Sequence, residues 1–330
     1  MEFTGERFIP GTRGEIWVEH WHRYHFATRF ASGQRVLDVA CGEGYGTALL
    51  ARHAARVTGA DLAPAAIEHA RRSYAGLANV EFVVAPCTRL PLADAAVDVV
   101  VSFETLEHID NQEEFLAEVA RVLAPDGVVV LSCPNKREYS DRRAFANEFH
   151  VKELYRNELA ALVARQFPAV AWYGQRPSFF SVIAPEPGPA GAGDLLEVSE
   201  ANPAEAASAL AQPLYFLLVA GRSRAAVDRL PAALSVLSDR DEWVHRDYEK
   251  VMRDLGGAAA ERDQAQRLLA QRDGAIAAME KDIAELERIA AGRAAALAAR
   301  EREVTRRGGL RWWLTLPLYR LRILKRPPDA

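Results

Sequence analysis

Residues 36–63 read VLDVACGEGYGTALLARHAARVTGADLA. An apolar run, Val36 to Val39, ends in the small-residue turn Ala40-Cys41-Gly42-Glu43-Gly44. A helical pattern follows at once, and a second apolar run ends at Asp61. The pattern predicts strand, tight turn, helix and strand, with an acid at the tip of the second strand. Glycine lets a backbone approach a ligand where a Cβ would clash. A helix N-terminus offers unpaired N–H groups, and an acid after the second strand can take both hydroxyls of a ribose. Together these features point to an adenosine-containing cofactor.

A dinucleotide fingerprint would read G-x-G-x-x-G. The turn here is D-x-A-C-G-x-G-x-G, with Asp38 still on the strand. It resembles motif I of the class I S-adenosylmethionine (SAM) methyltransferases, D-x-G-C-G-x-G, with Ala40 in place of the first glycine; NAD is the weaker alternative. Residues 97–109, VDVVVSFETLEHI, resemble the fourth strand and motif IV of that family. Residues 115–133, FLAEVARVLAPDGVVVLSC, resemble its next helix, turn and fifth strand. The resemblance covers about residues 1–222. It implies an α/β fold with a seven-stranded, doubly wound, mostly parallel Rossmann-like sheet, whose last strand, within residues 213–221, is antiparallel. It also implies SAM on the first turn, with Asp38, Ala40, Gly42, Gly44 and Tyr45 as cofactor-binding positions. Asp61 would take the ribose hydroxyls, Leu62 would pack on adenine and Phe103 would edge the methionine part. Many relatives carry an acid after the third strand. Here the stretch is Ala85-Pro86-Cys87-Thr88, so adenine recognition falls to backbone groups near Cys87 and Thr88 or to the Thr88 hydroxyl.

The chain of 330 residues has room for one large domain and an appendage. A net charge of −4 gives no support for bulk nucleic-acid binding, and no nucleic-acid partner is expected. Cys41, Cys87 and Cys133 fall at expected strand ends of one domain and read as reduced thiols of a cytoplasmic protein. The first ten residues lack the apolar core of a signal peptide, and no apolar run approaches the ~20 residues needed to span a bilayer.

Along the chain, residues 1–30 form a lid region in which Trp17, Trp21 and Tyr24 recur at helical spacing. A helix is expected over 151–167 and a strand over 169–174. Residues 185–212, rich in Ala, Pro and Gly, read as an exposed insertion or linker. A linker helix is expected over 223–247. From Tyr248 every seventh residue gives Leu255, Arg262, Leu269, Ile276, Ile283, Ala290, Leu297 and Val304. The pattern predicts a C-terminal coiled-coil helix over 248–305, through which a homo-oligomer or a glycosyltransferase partner is expected; a single solvated helix or a helical hairpin is the alternative, since Gly256-Gly257 would allow a break. Residues 308–326 mix Trp312, Trp313 and several leucines with Arg311, Arg320, Arg322 and Lys325. That composition suits the headgroup boundary of an anionic membrane, with Pro317 arguing against one unbroken helix. The expected location is cytoplasmic, peripheral at the inner face of the membrane.

The chemistry concentrates in Glu104-Thr105-Leu106-Glu107-His108. In a helical turn, positions 104, 107 and 108 share one face. E-x-x-E-H in this place resembles two metal-dependent groups, the ubiquinone-biosynthesis O-methyltransferases and the plant small-RNA 2′-O-methyltransferases. The resemblance implies a divalent ion (Mg, Mn, Fe or Zn) held by Glu104, Glu107, His108 and, from NEFHVKEL (147–154), His150. Imidazole ligands favour Mn²⁺, Fe²⁺ or Zn²⁺ over Mg²⁺. Two other readings stay open: His108 as a metal-free general base oriented by Glu107, or the pair as a structural helix start. GERF (5–8) and EHWHRYHFA (19–27) resemble a subfamily seen with bacterial cell-surface glycan enzymes, with His20, His22, Arg23, Tyr24 and His25 as candidates to reach the acceptor or the SAM carboxylate. The expected function is O-methylation of a sugar hydroxyl on a nascent or lipid-linked cell-surface polysaccharide, with chain capping as its role. The rivals are a quinone-like small-molecule O-methyltransferase, a non-catalytic scaffold and RNA methylation.

Overall fold

A computed structural model describes residues 14–178, 197–198, 206–207, 210, 212–230, 233–237 and 243–325. The chain divides into two compact units, Met1–Val244 and His245–Ala330. In the first, seven runs rich in Val, Leu and Ala form one sheet: β1 (Arg35–Val39), β2 (Arg56–Asp61), β3 (Val80–Val84), β4 (Val97–Phe103), β5 (Leu123–Pro134), β6 (Ala169–Gln175) and β7 (Tyr215–Gly221). Their spatial order is β3-β2-β1-β4-β5-β7-β6. Every pairing is parallel except those of β7, which runs antiparallel to both β5 and β6. The chain leaves β3 at one edge and returns at β4 beside β1. That reversal opens a crevice outside the carboxyl ends of β1 and β4, where such sheets receive ligands.

Successive side chains alternate faces along each strand, and the core divides accordingly. Val99, Val101, Val128 and Val130 point to one face, which is covered by α1 (Glu15–Ala31), α2 (Tyr45–Ala51) and α6 (Arg224–Val227). Val100, Val129 and Leu131 point to the other, under α4 (Gln112–Val122) and α5 (Arg156–Ala164). Between α2 and α4 in sequence, α3 (Pro64–Ser73) packs Ile67 and Ala70 against Phe82 of β3. With both faces covered, β4 and β5 read as continuous apolar runs. Each fully buried Val or Leu contributes roughly 1.5–3 kcal/mol.

Several sequence expectations need correction. The helix expected over 151–167 is confined to α5, because the amides of Val151 and Lys152 donate instead to the backbone carbonyl of Glu107. The expected linker helix over 223–247 is two pieces, α6 and the start of α7 (Trp243–Gly308). The insertion over 185–212 lies mostly outside the described residues; within it, Glu197–Val198 pairs antiparallel with Ala206–Ala207. GERF at 5–8 also lies outside them.

The second unit is helical. α7 runs without interruption through Gly256-Gly257, spanning roughly 100 Å at 1.5 Å per residue. The glycines cost about 1 kcal/mol each, too little to break a helix continued by Ala, Arg and Glu on both sides. α8 (Leu310–Arg320) carries Pro317 inside it, and the interruption falls at Gly309, whose backbone is extended. Pro317 therefore does not break the segment. Among the described residues, no helix is long and apolar enough to cross a membrane.

Candidate functional site

The β1–α2 turn is built on left-handed backbone. Ala40 has φ +59°, Gly42 +54° and Gly44 +81°. A Cβ on Gly44 would fall 2.6 Å from the Phe82 ring, so both conformation and space require glycine there. Ala40 accepts the same region of φ with a Cβ, at a steric cost. Asp38 is fully buried beneath the turn, accepting from Thr47 Oγ1 at 2.6 Å and from the Tyr24 hydroxyl at 3.1 Å. Burial raises its pKa to about 7, against the lowering effect of those two hydrogen bonds. Asp38 thus supports the turn from below.

Asp61 lies at the tip of β2. Oδ2 accepts from the Gly42 amide at 2.9 Å and Oδ1 from the Ala63 amide at 2.8 Å. Both oxygens retain lone pairs for further donors. Leu62 beside it is 70% exposed, and a Cβ on Gly42 would meet nothing within 4 Å. The Ala85 amide donates to the Asp61 carbonyl at 3.0 Å, which brings the Cys87 and Thr88 segment alongside. A buried carboxylate with lone pairs to spare, an apolar flank and an uncrowded glycine fit an adenosine-containing group. Tyr45 is buried and its hydroxyl pairs with His20 Nδ1 at 2.8 Å. Burial, and then the nearby Arg23, hold the His20 imidazole well below its usual pKa.

After β4 the expected helical turn does not start at Glu104. Glu104 sits at φ +49°, a strained value for a residue with a Cβ, and a 3-10 turn spans only Leu106–His108. Phe103 is buried against the edge of Tyr24, centroids 5.1 Å apart. The four expected metal ligands are therefore not equivalent. Glu107, His108 and His150 present ligand atoms within 4.8 Å of one another. Glu104 turns elsewhere: Oε1 accepts from the Ser132 hydroxyl at 2.6 Å and lies 3.6 Å from Arg23 Nη1.

Glu107 is the most unusual group in the trio. Its side chain is 1% exposed and neither carboxylate oxygen has a hydrogen-bond partner. Burial, reinforced by the Glu104 charge, pushes its pKa far above the carboxylate range. His108 Nε2 lies 3.9 Å from Glu107 Oε1. His108 Nδ1 faces the Phe149 carbonyl at 2.9 Å; donation there leaves Nε2 with its lone pair. His150 Nδ1 is 2.6 Å from Glu153 Oε1, and Nε2 is 3.1 Å from the Asn147 amide. A carboxylate behind a histidine in this way fixes its tautomer and orientation. The amides of Val151 and Lys152 on the Glu107 carbonyl, at 2.7 and 3.0 Å, bind the His150 loop to the turn after β4.

A second buried cluster was only partly legible in the sequence. Arg23 on α1 is 1% exposed. Its Nε donates to Gln175 Oε1 at 2.6 Å, and its guanidinium lies 4.3 Å from the Tyr215 ring centroid. Burial works against its charge, but Glu104 and Glu19 outweigh that and hold the pKa up. Glu19 accepts from the Tyr215 hydroxyl at 3.0 Å, and burial raises its pKa to about 7. Glu19 and Arg23 share a helix face at i,i+4, which was the available signal. Gln175 and Tyr215 come from β6 and β7 and left none. His22 pairs with Ser235 at 2.9 Å and His25 lies partly exposed on α1, so neither joins this cluster.

Residues 37–131 match a family model described as a methyltransferase domain. The chain is similar to a "Probable S-adenosylmethionine-dependent methyltransferase" of Mycolicibacterium smegmatis, 41% identical over 170 residues, 49% of this chain and 63% of that one. It is also similar to a protein of the same description from Mycobacterium tuberculosis, 39% identical over 169 residues, 49% of this chain and 60% of that one. Demethylmenaquinone methyltransferase of Clavibacter sepedonicus is 39% identical over 100 residues, 30% of this chain and 41% of that one. The chain thus spans about three fifths of the length of the first two relatives. Among solved structures, the PH0226 protein of Pyrococcus horikoshii superposes with a TM-score of 0.48 at 18% identity, covering 67% of this chain and 99% of that one.

Proposed function

We propose that the first unit is a class I SAM-dependent methyltransferase domain and that it methylates a hydroxyl oxygen, on a sugar of a nascent or lipid-linked cell-surface polysaccharide. The observation that carries O-methylation is the pair of unpartnered, buried Glu107 oxygens facing His108 and His150. A sugar hydroxyl is a poor nucleophile until its proton is managed, and this cluster is built for that task. SAM supplies an activated methyl group; Asp61, the Gly42–Gly44 turn and Leu62 would hold its adenosine part. The orphaned Glu107 oxygens and the His108 imidazole beside them also fit a divalent ion, which when bound would lower the pKa of an acceptor hydroxyl. On that reading Glu107, His108 and His150 are the ligands. Glu104, turned to Ser132 and Arg23, positions the cluster from behind. Where no ion is present, His108 Nε2 accepts the acceptor proton.

The glycan acceptor is supported by the resemblance of the lid helix to glycan-associated enzymes and by the basic, aromatic tail. That tail would hold the protein peripherally at the inner face of the membrane, in the cytoplasm, where such glycans are made. The heptad repeat of α7 would set a homo-oligomer or dock a glycosyltransferase, and capping of the growing chain fits such a spacer. A second reading is favoured by one observation: a relative named for demethylmenaquinone matches over 100 residues, which supports a quinone-like acceptor. Methyl-labelled SAM incubated with membranes of the source organism tests both. Label in the glycan fraction upholds the proposal, and label in the quinone fraction upholds the second reading. Activity unchanged after rigorous chelation would retire the ion and leave His108 as the base.

A further inference from the structure

Residues 304–328 contain seven Lys or Arg and no Asp or Glu. Arg307 pairs with Glu303 on α7, while Arg311, Arg320, Arg322 and Lys325 have no ion pair among the described residues. Within this segment, Leu310, Trp313, Leu314, Pro317, Leu318 and Leu321 recur at i, i+3, i+4, i+7, i+8 and i+11, so α8 carries one apolar stripe. The leucines of the stripe and Trp313 stand 36 to 81% exposed. At about 3.6 residues per turn, Arg311 borders one edge of the stripe and Arg320 the other. The opposite face is occupied by the chain itself. Trp312 and Tyr319 are half-buried there, with ring centroids 5.8 Å apart. The guanidinium groups of Arg306 and Arg307 lie 5.2 and 5.7 Å from the Trp312 centroid. One tryptophan is thus turned inward and its neighbour Trp313 outward.

We propose that the stripe lies in the headgroup plane of a bilayer bearing anionic lipid, with Leu310, Trp313 and Leu314 immersed and Arg311 and Arg320 on lipid phosphates. This rests on the reading of the tail as a peripheral membrane element, and it adds the face that enters, the lipid it selects and its depth. Eleven residues make roughly 16 Å of helix, about half of the ~30 Å hydrocarbon core, so α8 lies along the surface. Pro317 sets the depth. It has no N–H, so the Trp313 carbonyl lacks its i+4 donor and needs water, which the headgroup layer supplies and the hydrocarbon core does not. Arginine stems cover apolar neighbours while their heads stay wet, which suits both edges of the stripe. A second copy of this segment would set cations against cations, whereas lipid phosphate complements them.

The test is flotation of the full chain with vesicles of phosphatidylcholine alone and of phosphatidylcholine mixed with phosphatidylglycerol, together with quenching of tryptophan fluorescence by brominated lipid. The mixed vesicles should bind more tightly, and the advantage should shrink as salt rises. Arg311→Gln with Arg320→Gln should weaken binding to them about 25-fold, fivefold for each cation. Trp313→Ser with Leu314→Ser should weaken it about tenfold or more. Trp313→Phe should remove most of the lipid-dependent quenching and Trp312→Phe little of it. Bromines near the headgroup should quench more than bromines at the chain end. These side chains lie outside any packed core, so helicity by circular dichroism should match the parent's. Equal binding to both vesicles at low salt overturns the inference but keeps peripheral attachment; no binding to either removes both. Equal loss of quenching in the two tryptophan variants, or stronger quenching from the chain end, also overturns it. So does a Trp313→Ser, Leu314→Ser chain that binds vesicles as the parent does and has a lower particle mass without lipid, since the stripe is then a protein contact. Labelled-methyl transfer keeps this apart from O-methylation. A chain that ignores vesicles and labels glycan loses only the lipid partner, and one that binds anionic vesicles and labels no glycan loses only the sugar acceptor.

Discussion

In the sheet unit Leu37, Val100 and Leu131 are sealed from solvent by helices of the same unit. In α7, Leu255, Ile283, Leu286 and Leu297 stand 54 to 65% exposed. Both stretches are rich in aliphatic residues, yet only the first satisfies them within one chain. The difference lies in connectivity. A βα alternation returns the chain across its own apolar faces, whereas one continuous helix has no second layer of its own to fold onto. The sheet unit therefore buries its apolar core within itself. α7 stays helical through Ala, Arg and Glu propensity and surface pairs such as Arg288 with Glu285, with its apolar seam exposed.

The contrast can be broken or sharpened in several ways, beginning with the largest expected effect. If chemistry resides wholly in the sheet unit, Glu107→Gln should lower kcat about 10²–10⁴-fold, while SAM affinity by calorimetry stays within a few-fold; equal turnover would sink the assignment. Ile276→Lys with Ile283→Lys should reduce the particle mass seen by light scattering, since each buried Ile in an associated seam contributes about 1.5–3 kcal/mol. The same double variant should leave kcat untouched. An unchanged mass would mean that α7 works alone. Asp61→Ala should weaken SAM binding by about 1.5–3 kcal/mol, the worth of hydrogen bonds to a charged group.

Smaller effects concern stability. Glu19 has its pKa raised from 4.5 to about 7 on folding. The native state therefore holds a proton that the unfolded state releases, and the stabilisation present below pH 4.5 is lost as pH rises through about 7. Glu19→Gln should flatten that decline. The variant should melt like the parent near pH 4.5 and be more stable at pH 8 by on the order of 1–3 kcal/mol. A parallel pH profile would show that burial does not hold that proton. Last, Ala40→Gly should raise stability by about 0.5–1 kcal/mol, the relief of left-handed strain less the added unfolded entropy. A loss in the urea midpoint would place other constraints on that turn.

Much of this architecture was legible because its determinants are local. The glycines and Asp61 lie within one βα unit, and the run Val97–Phe103 announces a buried strand by composition. The limits were equally physical. Glu104 was expected to join Glu107 and His108 on a helical face, but its amide is held at Ser132 across the sheet, and the turn tightens to 3-10. Gly256-Gly257 allowed a break and Pro317 argued against one unbroken helix because propensity is a local quantity, while a helix propagates cooperatively past a local penalty.

The amino-acid pattern by itself determined the kind of sheet, the place of the glycine-rich turn and the presence of a long terminal helix, since each follows from periodicity within a few turns of chain. Only tertiary structure decided which polar groups meet. Arg23 with Gln175, Glu19 with Tyr215 and His108 with Phe149 lie 152, 196 and 41 residues apart. Their contacts exist because packing of the two apolar faces brings distant loops to one end of the sheet. There, with water excluded, a carboxylate such as Glu107 is left facing two imidazoles.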